Sequence, residues 1–73
     1  MVNKNLLLSK IALYGDTWFV LAKKIGIYPA TLHKKLRGET DFKAGEIKKI
    51  MEIYKLTPEE IVEIFLANGA VKQ

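Results

Sequence analysis

Cysteine is absent from this chain of 73 residues, so no disulfide staples it and no cysteine-based zinc site can form. Histidine occurs once, as His33, with no other metal-ligand types nearby, so neither a metal nor any cofactor is expected. One histidine and no paired carboxylates in an identifiable pocket also argue against an enzyme. No stretch reaches the roughly 18 apolar residues of a membrane span. The apolar patch after Lys4 is broken by Ser9 and Lys10 and lacks the run and cleavage pattern of a signal peptide. β-type alternation, repeats, low-complexity tracts and linkers are missing too. These absences leave one all-α domain, residues 1–73, expected to act in the cytoplasm without a membrane. A chain this short hides only about 60% of its extended surface on folding, which leaves little room for a catalytic cleft.

One absence is local. Between Trp18 and Arg37 there is no Asp or Glu, while Lys23, Lys24, Lys34, Lys35 and Arg37 all fall there. The whole chain carries a net charge of +4 with a pI near 9.4, which favours an acidic partner. The same stretch has the grammar of two helices crossing over a tight turn. Leu21, Ile25 and Ile27 are large and apolar, and Ala22 is small enough for backbones to approach. Gly26 tolerates positive φ at the corner. Pro29 suits the first turn of the next helix, where its missing N–H costs nothing. Leu32 and Leu36, one turn apart, point that helix inward, and Gly38 stops it.

Thr17, Leu21, Ala22, Ile25, Gly26, Ile27, Thr31, Leu32, Leu36 and Gly38 together resemble the helix-turn-helix of the phage repressor and Cro family of DNA-binding proteins. The pattern reads T-x-x-x-L-A-x-x-x-G-I-x-x-x-T-L-x-x-x-L-x-G. Phe42, Glu46, Ile47 and Ile50 are similar to that family's following helix. The resemblance implies a compact bundle of five short helices and a regulator that binds double-stranded DNA. It further implies a repressor that occupies a promoter, and association with the nucleoid.

Caps and periodicity supply the remaining elements. Asn3 or Asn5 caps a first helix running to about Tyr14, with Leu7, Leu8, Ile11 and Tyr14 inward. Asp16 or Thr17 caps the second, which ends near Lys24 or Ile25. The third spans about Pro29 to Arg37. Gly38–Asp41 is a polar loop anchored by Phe42. A fourth helix covers about Ala44 to Lys55, burying Ile47, Ile50 and Ile53 or Tyr54, with Glu46, Lys48, Lys49 and Glu52 in water. Thr57, Pro58 and Glu60 form a capping box for a fifth, which ends near Asn68–Gly69, leaving Val71–Gln73 frayed.

A rotation of 100° per residue puts Ala30, Lys34 and Arg37 opposite Leu32 and Leu36, with His33 and Thr31 to either side. A helix-turn-helix presents this face and its N-terminal end to the major groove. Lys34 can donate to guanine O6 and N7 or touch only phosphate. His33 can meet a base edge or a phosphate, or sit at the helix edge without contact. Thr31 supports the helix or reaches a phosphate, and Ala30 is small enough to touch a thymine methyl. Tyr28 can pack on the sugar-phosphate wall or against the helix end. Pro29 departs from the family, many of whose members carry glutamine there. Trp18 departs likewise; its indole N–H can donate to a phosphate that Thr17 shares, or its ring can complete the core with Phe19. The family's docking arrangement makes Lys43 a phosphate contact. One short reading helix covers few base pairs, so two copies on a palindromic operator are expected, paired weakly through Val62 and Leu66 unless these belong to the core. A helical protein-interaction module that kept the fold is the competing reading, supported by Pro29 and Trp18.

Overall fold

The structure, a computed structural model, describes residues 2–66. Every regular element among them is helical: α1 (Lys4–Ala12), α2 (Trp18–Ile25), α3 (Pro29–Leu36), α4 (Ala44–Tyr54) and α5 (Pro58–Ile61), which widens into a π-type turn, Val62–Leu66. The expected end of the fifth helix at Asn68–Gly69, and the frayed Val71–Gln73, lie outside the described residues.

Local chemistry sets most boundaries. Asn3 caps α1, its Oδ1 accepting from the Leu6 N–H at 3.1 Å. The helix stops at Ala12, one half-turn before the expected Tyr14, because the chain turns through Gly15 at φ 75°. Thr17 caps α2, accepting from the Val20 N–H. Asp16 is thereby free for a different role. Gly26 closes α2 at φ 81°: the Ile27 N–H donates to Ala22 O at 3.0 Å and the Gly26 N–H to Lys23 O at 3.2 Å. That pairing is a Schellman closure, which needs a left-handed residue at this position. Gly38 repeats it after α3, with Glu39 N–H donating to Lys34 O at 2.9 Å. At the end of α4 the left-handed position falls to Lys55, at φ 53°, a conformation that costs an L-residue about 1–2 kcal/mol. The buried Leu56 follows it and donates its N–H back to Met51 O. The capping box of α5 forms as expected: Thr57 Oγ1 accepts from Glu60 N–H at 3.1 Å, and Glu60 Oε1 from Thr57 N–H at 2.8 Å.

One core joins all five helices. Leu7 and Ile11 of α1, Leu21, Ala22 and Ile25 of α2, and Leu32 and Leu36 of α3 meet Ile50, Tyr54, Leu56, Ile64 and Phe65. The wide turn after α5 brings Ile64 and Phe65 into this core side by side, and Phe65 meets Phe42 edge-on at 5.2 Å. Leu8 is partly buried. Tyr14, expected to face inward, is half exposed; it covers Tyr54 edge-on at 5.3 Å and donates its hydroxyl to Tyr54 O. Glu60 binds outward with its second oxygen, pairing with Lys10 of α1 at 2.6 Å. Asn3 N–H donates to Ile64 O at 2.7 Å, so α1 is tied at its start to the last described turn and near its end to α5.

One expectation about solvent fails in α4, and its cause lies in α3. Glu46 is not a wet surface acid. It is mostly buried, accepts from the Lys43 N–H at 2.9 Å and pairs with Lys35 at 3.1 Å. Lys35 is itself only 5% exposed, and its ammonium also donates to Asp41 O at 2.8 Å. A buried ammonium is tolerated only when partnered in this way. The apolar edge expected on the fifth helix is divided: Val62 is exposed, whereas Leu66 packs against the core.

Candidate nucleic-acid interface

The turn between α2 and α3 is sealed from within by Leu21, Ala22, Ile25 and Leu32, all buried, with Ile27 packed on them. This seam fixes the outward face of α3. Ala30, Thr31, His33, Lys34 and Arg37 are exposed, Pro29 is partly buried, and Tyr28, at the N-cap, is 81% exposed. Tyr28 holds extended backbone and its side chain does not cap the helix, so its ring projects from the leading end of α3.

The start of α2 lies beside that face. The Trp18 ring stacks on His33 of α3, with centroids 5.5 Å apart and planes 27° from parallel. Phe19 also stacks on Trp18, at 4.2 Å. Trp18 is therefore neither fully core nor free: its ring meets both Phe19 and His33 and links α2 to the exposed side of α3. Thr17 sits at the same N-terminus and is exposed. Phe19, 54% exposed, was not legible as part of this face. Its only signal was adjacency to Trp18.

The cations sort into paired and unpaired. The acid-free stretch is closed by acids just outside it. Asp16 reaches Lys24 at 2.6 Å, and Glu39 pairs with Arg37. The Arg37–Glu39 pair is exposed on both sides, a kind worth about 0–1 kcal/mol, so an arriving phosphate can compete for the guanidinium. Lys34, Lys23, Lys43, Lys48 and Lys49 carry no ion pair among the described residues. Lys34 is thus the free cation on α3. Lys43 stands at the N-cap of α4, and its position is set from α3: Lys35 holds Asp41 O and Glu46, and Glu46 holds the Lys43 N–H. Lys35 was the second residue missed. Its spacing with Leu32 and Leu36 put it on the buried stripe, but its charge disguised it.

Asp16 has a structural task. Its Oδ2 accepts from Lys24 and, at 2.7 Å, from the Tyr54 hydroxyl of α4. These two bonds, Lys24 first, hold its carboxyl below the usual carboxylate range. Tyr54 shifts the other way: burial first, then the bond to Asp16, raises its hydroxyl above the ordinary phenol range. Lys24 also lies 5.4 Å over the Tyr54 ring. No group of three or more His, Cys, Asp or Glu side chains among the described residues could hold a metal. No described helix is long and apolar enough to cross a membrane.

A family model for the Cro/C1-type HTH DNA-binding domain matches residues 10–65. The chain belongs to that family. The match takes in α2, the turn, α3 and α4 whole, and reaches Phe65 in the core. Comparison with curated proteins and with solved structures returns no match. The Cro/C1-type assignment makes this a DNA-binding regulator of the helix-turn-helix kind. It also bears on the two departures. Proline at the head of α3 and tryptophan at the head of α2 both sit within a Cro/C1-type frame, and the stack from Trp18 to His33 joins the two helices on their outer side.

Proposed function

We propose that this Cro/C1-type protein is a small phage-type repressor that lays the helix 29–37 in the major groove of a specific operator and blocks polymerase by occupying the promoter. The observation that carries the reading is the open face of α3, whose reverse side is sealed by Leu32, Lys35 and Leu36. Lys34, His33, Thr31, Ala30 and Pro29 meet the groove. Tyr28, Arg37 and Lys43 meet the sugar-phosphate walls, and Thr17 and Trp18 share a phosphate at the start of α2. Phosphate contacts set register and affinity, and base contacts set preference. The operator is palindromic and bound by two copies. They pair weakly, or only on DNA, along an edge containing Val62, with the partly buried Leu66 beside it. The protein works in the cytoplasm, on the nucleoid.

Selection of bound sequences from a random duplex pool tests this directly. The expected outcome is an enriched site with two-fold symmetry and a log–log salt slope near about −4.5 for five neutralised phosphates. No enrichment, together with flat salt dependence, would refute it. The second reading, a helical protein-interaction module, draws on the exposure of Tyr28 and Phe19. It requires that duplex binding be weak and unselective.

A further inference from the structure

The leading turn of α3 is poor in side chains that read hydrogen-bond patterns. Pro29 offers only methylenes. Ala30, exposed, offers one methyl, and Thr31, also exposed, adds a γ-methyl beside its hydroxyl. His33, next on that face, lies along Trp18 instead of standing free. The first cation on this face that extends without a partner is Lys34, more than a full turn from Pro29. Residues at the N-terminal end of a helix-turn-helix reading helix are those that meet base edges. In the major groove the base feature that suits methyl and methylene groups is the thymine C5-methyl. A purine edge placed against Pro29 and Ala30 would lose water from its N7, O6 or N6 without gaining a partner from either.

We propose that Pro29, Ala30 and Thr31 form an apolar reader of pyrimidine 5-methyl groups, so that the half-site begins with thymines chosen by contact with their methyls. This rests on the DNA-binding reading above. The short side chains at Ala30 and Thr31 also set the depth of docking: their methyls reach a base only if the end of α3 comes close to the groove floor.

The test uses the selected operator, resynthesised with deoxyuridine in place of thymine at one position at a time, with affinity read by fluorescence anisotropy at fixed salt. Deoxyuridine removes the methyl and keeps the pairing. The expected result is about a fourfold loss per contacted methyl. The loss is confined to one or two adjacent positions and shrinks in Thr31→Ser and Ala30→Gly. Thr31→Ser trims only a methyl, and keeps the test valid should Ala30→Gly loosen the helix. Equal affinity for uracil and thymine duplexes at every position overturns the inference and leaves DNA binding standing. A loss of the same size in wild type and both variants also overturns it, because the methyl then acts through duplex stiffness. A protein that prefers no duplex over random DNA overturns the DNA-binding reading, and this inference falls with it.

Discussion

Replacing Lys35 by methionine tests whether the buried ammonium holds the path from α3 to α4 together. The substitution keeps the length of the stem and removes the charge. In the structure that charge lies 3.1 Å from Glu46 and donates to Asp41 O at 2.8 Å. At an effective dielectric near 20, a pair at this distance attracts by roughly 5 kcal/mol before desolvation is counted. Desolvation of both ions offsets much of that in the wild type. In the variant the attraction that compensates Glu46's desolvation is gone: Glu46 stays mostly buried without its counter-charge, and Asp41 O loses a donor. The expected cost is about 3 kcal/mol, at the lower end for a broken buried pair because Glu46 keeps the Lys43 N–H. A domain of this size has about 4–11 kcal/mol in all, so Tm should fall by roughly 12–24 °C. Urea unfolding followed by circular dichroism gives the free energy directly. Glu46→Gln and the double variant complete a thermodynamic cycle, in which the double variant should cost at least about 1 kcal/mol less than the sum of the singles. A Lys35→Met variant within about 0.5 kcal/mol of wild type, or strict additivity, would refute the reasoning.

Other perturbations separate backbone, charge and interface. Gly26→Ala should cost about 1–2 kcal/mol in urea unfolding, entirely through its φ of 81°, since open space surrounds the added Cβ. Lys55→Gly should act in reverse, raising stability by about 0.5–1 kcal/mol by relieving the left-handed position; a loss would show that the lysine side chain matters there. Asp16 and Glu60 are both held below their ordinary carboxylate values, Asp16 mainly by Lys24 and Glu60 mainly by Lys10. Their contribution is therefore complete above the unfolded values of about 4 and is lost as pH falls through the lower folded ones. The urea midpoint should hold between about pH 5 and 7 and drop below about pH 4, with a shallower drop in Asp16→Asn. Lys34→Ala should weaken binding to the selected operator and blunt its discrimination from random DNA; an unchanged ratio removes Lys34 from the reading set.

Most of the fold was legible because its punctuation is local. Gly26, Gly38, Thr57 and Pro58 mark helix ends by chemistry that acts within a few residues, and each marks an end in the structure. The inward stripes of α2 and α3 followed from spacing alone. Pairings across the chain were not legible. Asp16 meets Tyr54, Lys10 meets Glu60 and Lys35 meets Glu46 only once the helices are packed. Charge misled at Lys35 and Glu46, which satisfy each other out of water. At the interface, the exposed face of α3 could be drawn from a rotation of 100° per residue. The partnership of Trp18 with His33, and the capture of Arg37 by Glu39, needed coordinates.

The chain has a single tryptophan, and it stacks with both Phe19 and His33 where α2 and α3 share an outer surface. The chain's one indole thus stands at the spot under question. Anything that settles over this surface alters the polarity and quenching felt by that indole. Excited at the red edge of the indole band, where the three tyrosines do not absorb, an unlabelled sample titrated with duplex, peptide or acid yields an optical signal from this location, with no dye and no engineered probe.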